Sequence, residues 1–331
     1  MLSFLRKLFA LAFVALLALA GYAAWYALRP LEVATYPAEF RVTPGSGLRA
    51  TARQIESSGI PVGRIQFEVL ARGLGKSRDI KAGSYQLAAA TTPLQLLDKL
   101  TRGDVTQGEL ALIEGWTFRQ LRAAIEANAD LRGDTRGLQD AEILKRINAT
   151  EEHPEGLFFP DTYLFDKGAS DFDVLARAYK SMQKQLAAEW AARDSKSPYK
   201  SAYEALIMAS VVEKETGSAA ERSMIAAVLV NRLRIGMRLQ ADPTVIYGLG
   251  TAFDGNLRKR DLIADGPYNT YLRAGLPPTP ISMPGLASLR AALHPAESQA
   301  VYYVSRGDGT SQFSRTLEEH NRAVAKYQLK R

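Results

Sequence analysis

The run Ala209 to Gly217, reading A-S-V-V-E-K-E-T-G, joins an apolar segment to two carboxylates and then to a glycine. A carboxyl group held against the end of a buried helix can keep its proton near neutral pH and deliver it to a leaving group, which is general acid chemistry. Residues Ala205 to Val212 are apolar apart from Ser210, so this helix is expected to be buried on most sides. Gly217 reads as its stop. Ser218-Ala219-Ala220-Glu221 then reads as a capping box that opens a second helix through Ile225, Leu229 and Leu233. Glu213 is therefore placed at a corner between two helices. The negative end of the first helix dipole and the apolar neighbours Ala209 and Val212 both favour its protonated form there. Glu213 is the candidate acid and Glu215 its competitor, because a helix turns by about 200° over two residues and the pair cannot face one cleft equally. A solvated, frayed helix end is the competing reading of the same residues.

Around this corner lie further chemistry-bearing segments. Downstream, Arg238 to Gly248 reads R-L-Q-A-D-P-T-V-I-Y-G, in which Asp242 can cap a short helix with Pro243 at its first position. Tyr268-Asn269-Thr270-Tyr271 and the proline-rich span Gly275 to Gly285 follow, and Glu155 to Tyr163 (E-G-L-F-F-P-D-T-Y) lies upstream. Together with Val212-Glu213-Lys214-Glu215-Thr216, and taken in chain order, these segments resemble the endolytic murein transglycosylase family, bacterial enzymes that cut the glycan strands of peptidoglycan. The resemblance extends over nearly the whole chain.

That resemblance implies a lytic transglycosylase, a lyase that cleaves between N-acetylmuramic acid and N-acetylglucosamine. The C6 hydroxyl of the muramic acid attacks its own C1, leaving a 1,6-anhydro end without water, so a single carboxyl can donate and then accept the proton. By resemblance that group is Glu213. Gln240, Asp242, Thr244, Asn269 and Tyr271 are candidate sugar contacts, since a hydroxyl- and amide-rich ligand needs amide, hydroxyl and aromatic partners. Each also has a plain structural reading, Asp242 as a helix cap and Tyr268 to Tyr271 as a turn. Asp161 reads as a turn or cap residue, and Lys214 as pairing with an acid or reaching solvent. Two other readings stay open: a hydrolase with two carboxylates, which would release a reducing end, and a non-catalytic, membrane-tethered wall-binding protein.

Composition narrows the classes. The 331 residues carry no cysteine, which excludes disulfide and thiolate chemistry. His153, His294 and His320 lie far apart without metal-ligand spacing, so neither metal nor cofactor is expected. A net charge of +7 without a basic stripe interleaved with aromatics suits an anionic membrane or wall polymer better than nucleic acid. Leu8 to Leu28 holds no charge and, at about 1.5 Å per residue, matches a hydrocarbon core of about 30 Å. Arg6 and Lys7 precede it, and the positive-inside rule puts the N-terminus in the cytoplasm and the rest outside. Ala18-Leu19-Ala20 could mark a cleaved signal peptide, but apolarity continuing to Leu28 favours a retained single-pass anchor in the bacterial inner membrane.

The elements expected to position this chemistry form an α+β fold. Residues 1–30 are the cytoplasmic tip and anchor, 31–108 a small LysM-like subdomain, and 109–331 the catalytic domain. Pro30 to Phe40 reads as a short linker that starts the folded chain within roughly 35 Å of the bilayer. Phe40 to Gly45 reads as a strand running into a turn, Gly83 to Leu87 as another strand, and Phe67 to Leu70 as a short helix or strand. Thr92 and Thr117 each open a helix with a capping box. Val301 to Val304 and Gln312-Phe313 flank a hairpin turn at Gly307 to Gly309. Tethering close to new strands implies cutting of nascent glycan beside the peptidoglycan synthases.

Overall fold

The computed structural model describes residues 2–329 and divides the chain into two compact units, 1–108 with 164–169, and 109–163 with 170–331. In chain order the first unit begins with α1 (Leu2–Leu28), β1 (Ala38–Val42), α2 (Leu48–Ser57), α3 (Arg64–Gly73), β2 (Gly83–Leu87) and α4 (Pro93–Arg102). Next come β3 (Gln107–Ala111), α5 (Phe118–Ala127), α6 (Asp140–Arg146), β4 (Thr162–Asp166), α7 (Asp171–Ala191), α8 (Ala202–Glu215) and α9 (Arg222–Arg234). The chain continues through α10 (Asp242–Leu249), α11 (Lys259–Leu262), α12 (Leu286–Leu293), β5 (Tyr302–Ser305), β6 (Ser311–Ser314) and α13 (Leu317–Tyr327). The class is mixed α+β, with three two-stranded sheets among the described residues.

In the first unit β1 pairs antiparallel with β2, setting Phe40 opposite Tyr85, whose rings stack 5.3 Å apart. The helices α2 and α3 fall between these strands in sequence and close the core with Ile55, Ile60 and Phe67. The segment Phe67 to Leu70, open between helix and strand in sequence, is the middle of α3. Both threonine capping boxes form, Thr92 with Gln95 and Thr117 with Gln120.

One helix among the described residues, Phe4–Leu28, is long and apolar enough to cross a membrane, which is compatible with a single-pass anchor. The segment after it is not a free linker. Ala27 and Leu31 are buried, the Leu31 N–H donates to Thr91 O at 2.9 Å, and the Tyr26 hydroxyl donates to Val62 O. The first unit is thus built directly onto the end of α1, because Leu31 and Tyr26 have apolar and carbonyl partners there.

The core of the second unit is α8, packed against α7, α9, α10 and α12. Every residue from Ala205 to Val212 is buried, as its composition requires, and wholly enclosed side chains such as Leu206, Met208 and Val211 contribute about 1.5–3 kcal/mol each. Ser210 uses its position in that run to fasten the proline-rich segment. Its hydroxyl donates to Ile207 O at 2.7 Å and accepts the Ile281 N–H at 2.9 Å, and its carbonyl takes the Ser282 hydroxyl at 3.1 Å. Prolines deny this segment a helical ladder, and it lies along α8 as irregular chain with Ile281 to Pro284 buried.

The end of α8 differs from expectation in two ways. Its cap is Thr216 in an extended conformation, and Gly217 is not in the left-handed region, so no glycine stop operates. The Ser218 to Glu221 capping box does not form either. Glu221 itself occupies the N-cap of α9, and its carboxylate is taken by the Ser311 N–H at 2.7 Å and hydroxyl at 2.8 Å from β6. A partner distant in sequence has displaced the local one.

Candidate functional site

Beyond the end of α8 a cleft of about 430 Å³ opens, lined by Glu215, Arg232, Gln240, Asp242, Tyr271, Tyr303 and His320 among others. Glu215 is the last residue of α8, and its Oε2 accepts the Tyr303 hydroxyl of β5 at 2.7 Å. Burial pushes its carboxyl up to about 6, with the Asp242 charge adding to the rise. The Tyr303 hydrogen bond and the Arg232 charge work against that rise. Burial beside Glu215 in turn raises the Tyr303 phenol.

Arg232 reaches this cleft from within the apolar run of α9. Its Nε donates to Val301 O at 2.7 Å and Nη1 to Leu239 O at 2.6 Å, with the Tyr302 ring 5.5 Å from the guanidinium. The His320 ring stacks on Tyr302 at 5.0 Å, and burial followed by the Arg232 charge lowers its basicity. Its Nδ1 is buried with no hydrogen-bond partner among the described residues.

The residues singled out in sequence separate into two groups. Gln240, Asp242 and Tyr271 line the cleft with Glu215. Gln240 stands at φ 52, a left-handed conformation unfavourable for a side chain with a Cβ, and its N–H is held by Thr270 O at 3.1 Å. Asp242 does not cap α10. Ala241 holds that position without a side-chain bond, Asp242 is the first helical residue, and its carboxylate accepts the Tyr271 hydroxyl. Thr244 and Asn269 are buried and absent from the cleft lining. Thr244 donates to Ala241 O at 2.7 Å or shares its proton with the Thr270 hydroxyl at 2.8 Å. The Asn269 amide donates to Leu262 O at 3.0 Å and Ala264 O at 2.7 Å, while its oxygen accepts the Tyr271 N–H at 2.9 Å. These two shape the walls from behind.

Glu213 is also absent from the cleft lining. Its half-buried carboxylate accepts the Gly285 N–H at 3.0 Å, at the residue that caps α12. Lys214 donates to Gly115 O at 3.3 Å, pairing with a carbonyl rather than an acid. Asp161 is an exposed turn residue whose Oδ1 accepts the Thr162 N–H at 2.8 Å.

Sequence reasoning gave no site role to Tyr303 or Arg232, and weighed His320 only as a metal ligand. A signal existed for one of them: Arg232 interrupts the apolar run Ile225 to Leu233, and a charge buried in such a run needs partners. Tyr303 and His320 reach the cleft only through the packing of β5 and α13.

Among the described residues no cluster of three or more histidine, cysteine, aspartate or glutamate side chains could hold a metal ion.

The cleft thus sets Glu215 and Asp242 among Tyr271, Tyr303, Arg232 and His320, on a two-unit α+β chain with an N-terminal apolar helix. The model of the YceG-like family matches residues 40–326, and the chain belongs to that family. It is 32% identical over 304 residues to a Bacillus subtilis protein named endolytic murein transglycosylase, an alignment covering 86% of this chain and 83% of that one. A Streptococcus pneumoniae protein of the same name is 26% identical, covering 96% of this chain and 64% of the relative. The crystal structure of a YceG-like protein from Listeria monocytogenes superposes with a TM-score of 0.53 at 30% identity, over 86% of this chain and 98% of that one.

Proposed function

We propose that this protein is an endolytic murein transglycosylase in which Glu215 is the acid and base. The observation that carries the assignment is the placement of Glu215 in a cleft with Gln240, Asp242 and Tyr271, its carboxyl pushed up to about 6 and held by Tyr303. The names and coverage of the relatives support the reaction class. Glu213, which the sequence favoured, is occupied at the start of α12. The proposal therefore moves two residues along the helix.

The steps follow from that geometry. At pH 7 a carboxyl of pKa about 6 is protonated in about a tenth of molecules, enough to act as a general acid. Protonated Glu215 gives its proton to the glycosidic oxygen as the bond from muramic acid C1 breaks. The C6 hydroxyl of the same sugar closes on C1, and its proton passes to the carboxylate, restoring the acid without water. Asp242, kept beside the cleft by the Tyr271 hydroxyl, places negative charge near the cationic sugar that develops.

Asp242 also favours a second reading, because two carboxylates in one cleft are the equipment of a hydrolase. Digestion of purified glycan strands in heavy-oxygen water separates the two. Unlabelled products ending in 1,6-anhydro-N-acetylmuramic acid are expected; one solvent oxygen gained per cut would establish hydrolysis instead.

In the same reading, α1 is a single-pass anchor in the inner membrane with the N-terminus cytoplasmic, supported by Arg6 and Lys7 ahead of the apolar run. The first unit, with its β-α-α-β order, is a LysM-like module, and the chain acts on nascent strands beside the peptidoglycan synthases. Its substrate partner is the glycan strand.

A further inference from the structure

The first unit does not hang from the tip of α1 but packs alongside its last turns. Tyr22, Trp25 and Tyr26 of α1 line one crevice with Gly63 and Gln66, the residues that flank the start of α3. Tyr22 lies about 9 Å along the axis before Leu28, where the apolar helix ends. The headgroup layer is only about 5–8 Å thick on each side of the hydrocarbon core. If α1 is embedded to its end, the first turn of α3 is held at the depth where acyl chains meet headgroups. The aromatic side chains at this level are those that favour such a boundary.

The outward face of α3 suits that depth. Ile65 is 76% exposed and Val69 61%, and a spacing of four residues puts them on one stripe of the helix. Arg64 and Arg72 flank the stripe with largely exposed guanidinium groups, bonded on their inner sides to Glu56 and Glu68. The opposite face, with Phe67 and Ala71, fills the core of the unit. Aliphatic side chains flanked by arginines, on a helix fixed beside the aromatic end of an apolar span, match the surface of an anionic bilayer.

We propose that α3 is an interfacial helix whose Ile65 and Val69 side chains insert into the lipid leaflet around the C-terminal end of α1. The inference rests on reading α1 as the membrane span. It gives the first unit two attachments to the bilayer, which fix its orientation as well as its distance.

The absence of cysteine makes a clean experiment possible, since each introduced thiol is unique. Ile65→Cys, Val69→Cys, Leu16→Cys in α1 and Arg102→Cys at the far end of α4 are each labelled with an environment-sensitive fluorophore. The full chain is then reconstituted in vesicles of phosphatidylethanolamine and phosphatidylglycerol. Lipid-borne nitroxide should quench the labels at 65 and 69 at least about threefold more than the label at 102, and aqueous iodide should do the reverse. Unchanged cutting of soluble glycan strands checks that the labelled chains are folded. Iodide quenching at 65 and 69 equal to that at 102 overturns the proposal, with a lipid-quenched Leu16 showing that the anchor itself holds. Labels shielded from both quenchers would mean that protein, such as a second copy, covers the stripe, and also overturn it. A Leu16 label open to iodide removes the anchor and the proposal together.

Discussion

Among the described residues of the second unit, two carboxyl groups are held well above the ordinary range by burial, and α10 has a residue beside each. At its first residue, Asp242 shares the cleft with Glu215. Nearer its other end, Tyr247 donates to Glu155 Oε2 at 3.0 Å, while the Phe118 N–H donates to Oε1 at 2.8 Å. Glu155 is pushed up to about 7, higher than Glu215, yet it is only 3% exposed and has no place in the cleft lining. Gly156, left-handed at φ 78, lets the chain there approach so closely that an added Cβ would stand 2.5 Å from Pro280 Cβ. A perturbed carboxyl thus marks strong burial, and only access to a substrate-sized space distinguishes a chemical role from a structural one. Glu155 braces α5 and α10, with Gly156 set against the proline-rich segment; Glu215 lines the cleft.

The contrast is broken most directly by removing each proton. Glu215→Gln should lower turnover on glycan strands by about 10² or more with the fold intact, as read by product chromatography and circular dichroism. Glu213→Gln should cost less than about tenfold, since glutamine oxygen can still accept the Gly285 N–H. A dead Glu213→Gln beside an active Glu215→Gln would return the acid role to Glu213.

Glu155→Gln should leave its mark on stability against pH. The folded state binds the Glu155 proton more tightly than the unfolded chain does, so its contribution is greatest below pH 4.5 and falls until about pH 7. That fall is on the order of 3 kcal/mol in denaturant titrations, and the variant should lose it. An unchanged difference between wild type and variant from pH 4.5 to 8 would show that Glu155 ionises freely.

Tyr303→Phe sharpens the other half of the comparison by a smaller amount. Its hydroxyl favours the ionised form of Glu215, so its loss should make that carboxyl harder to ionise. The alkaline limb of kcat/KM should then move upward from about pH 6, with a rate loss of about tenfold from poorer positioning. A limb that moves downward, or stays in place, would detach Glu215 from the profile.

Sequence legibility followed the range of the forces involved. The burial of α8, the threonine capping boxes, the β5–β6 hairpin and the irregular proline-rich segment are set by side chains within a few residues of one another, and all were readable. Local rules failed where a distant group competed successfully. Glu221 left its expected cap for Ser311, and Leu31 and Tyr26 replaced a linker with packing.

The amino-acid order alone determined that a buried helix ends in two carboxylates within two residues of each other, and that an apolar helix long enough to span a bilayer precedes the folded units. It could not choose between those carboxylates, because about 200° of helix rotation puts them on different sides and their surroundings come from elsewhere in the chain. The tertiary structure set Gly285 against Glu213, and Tyr303, Arg232 and Asp242 around Glu215. Electrostatic environment and solvent access arise from groups brought together only by packing, and these properties separate a braced carboxyl from one able to exchange a proton with a substrate.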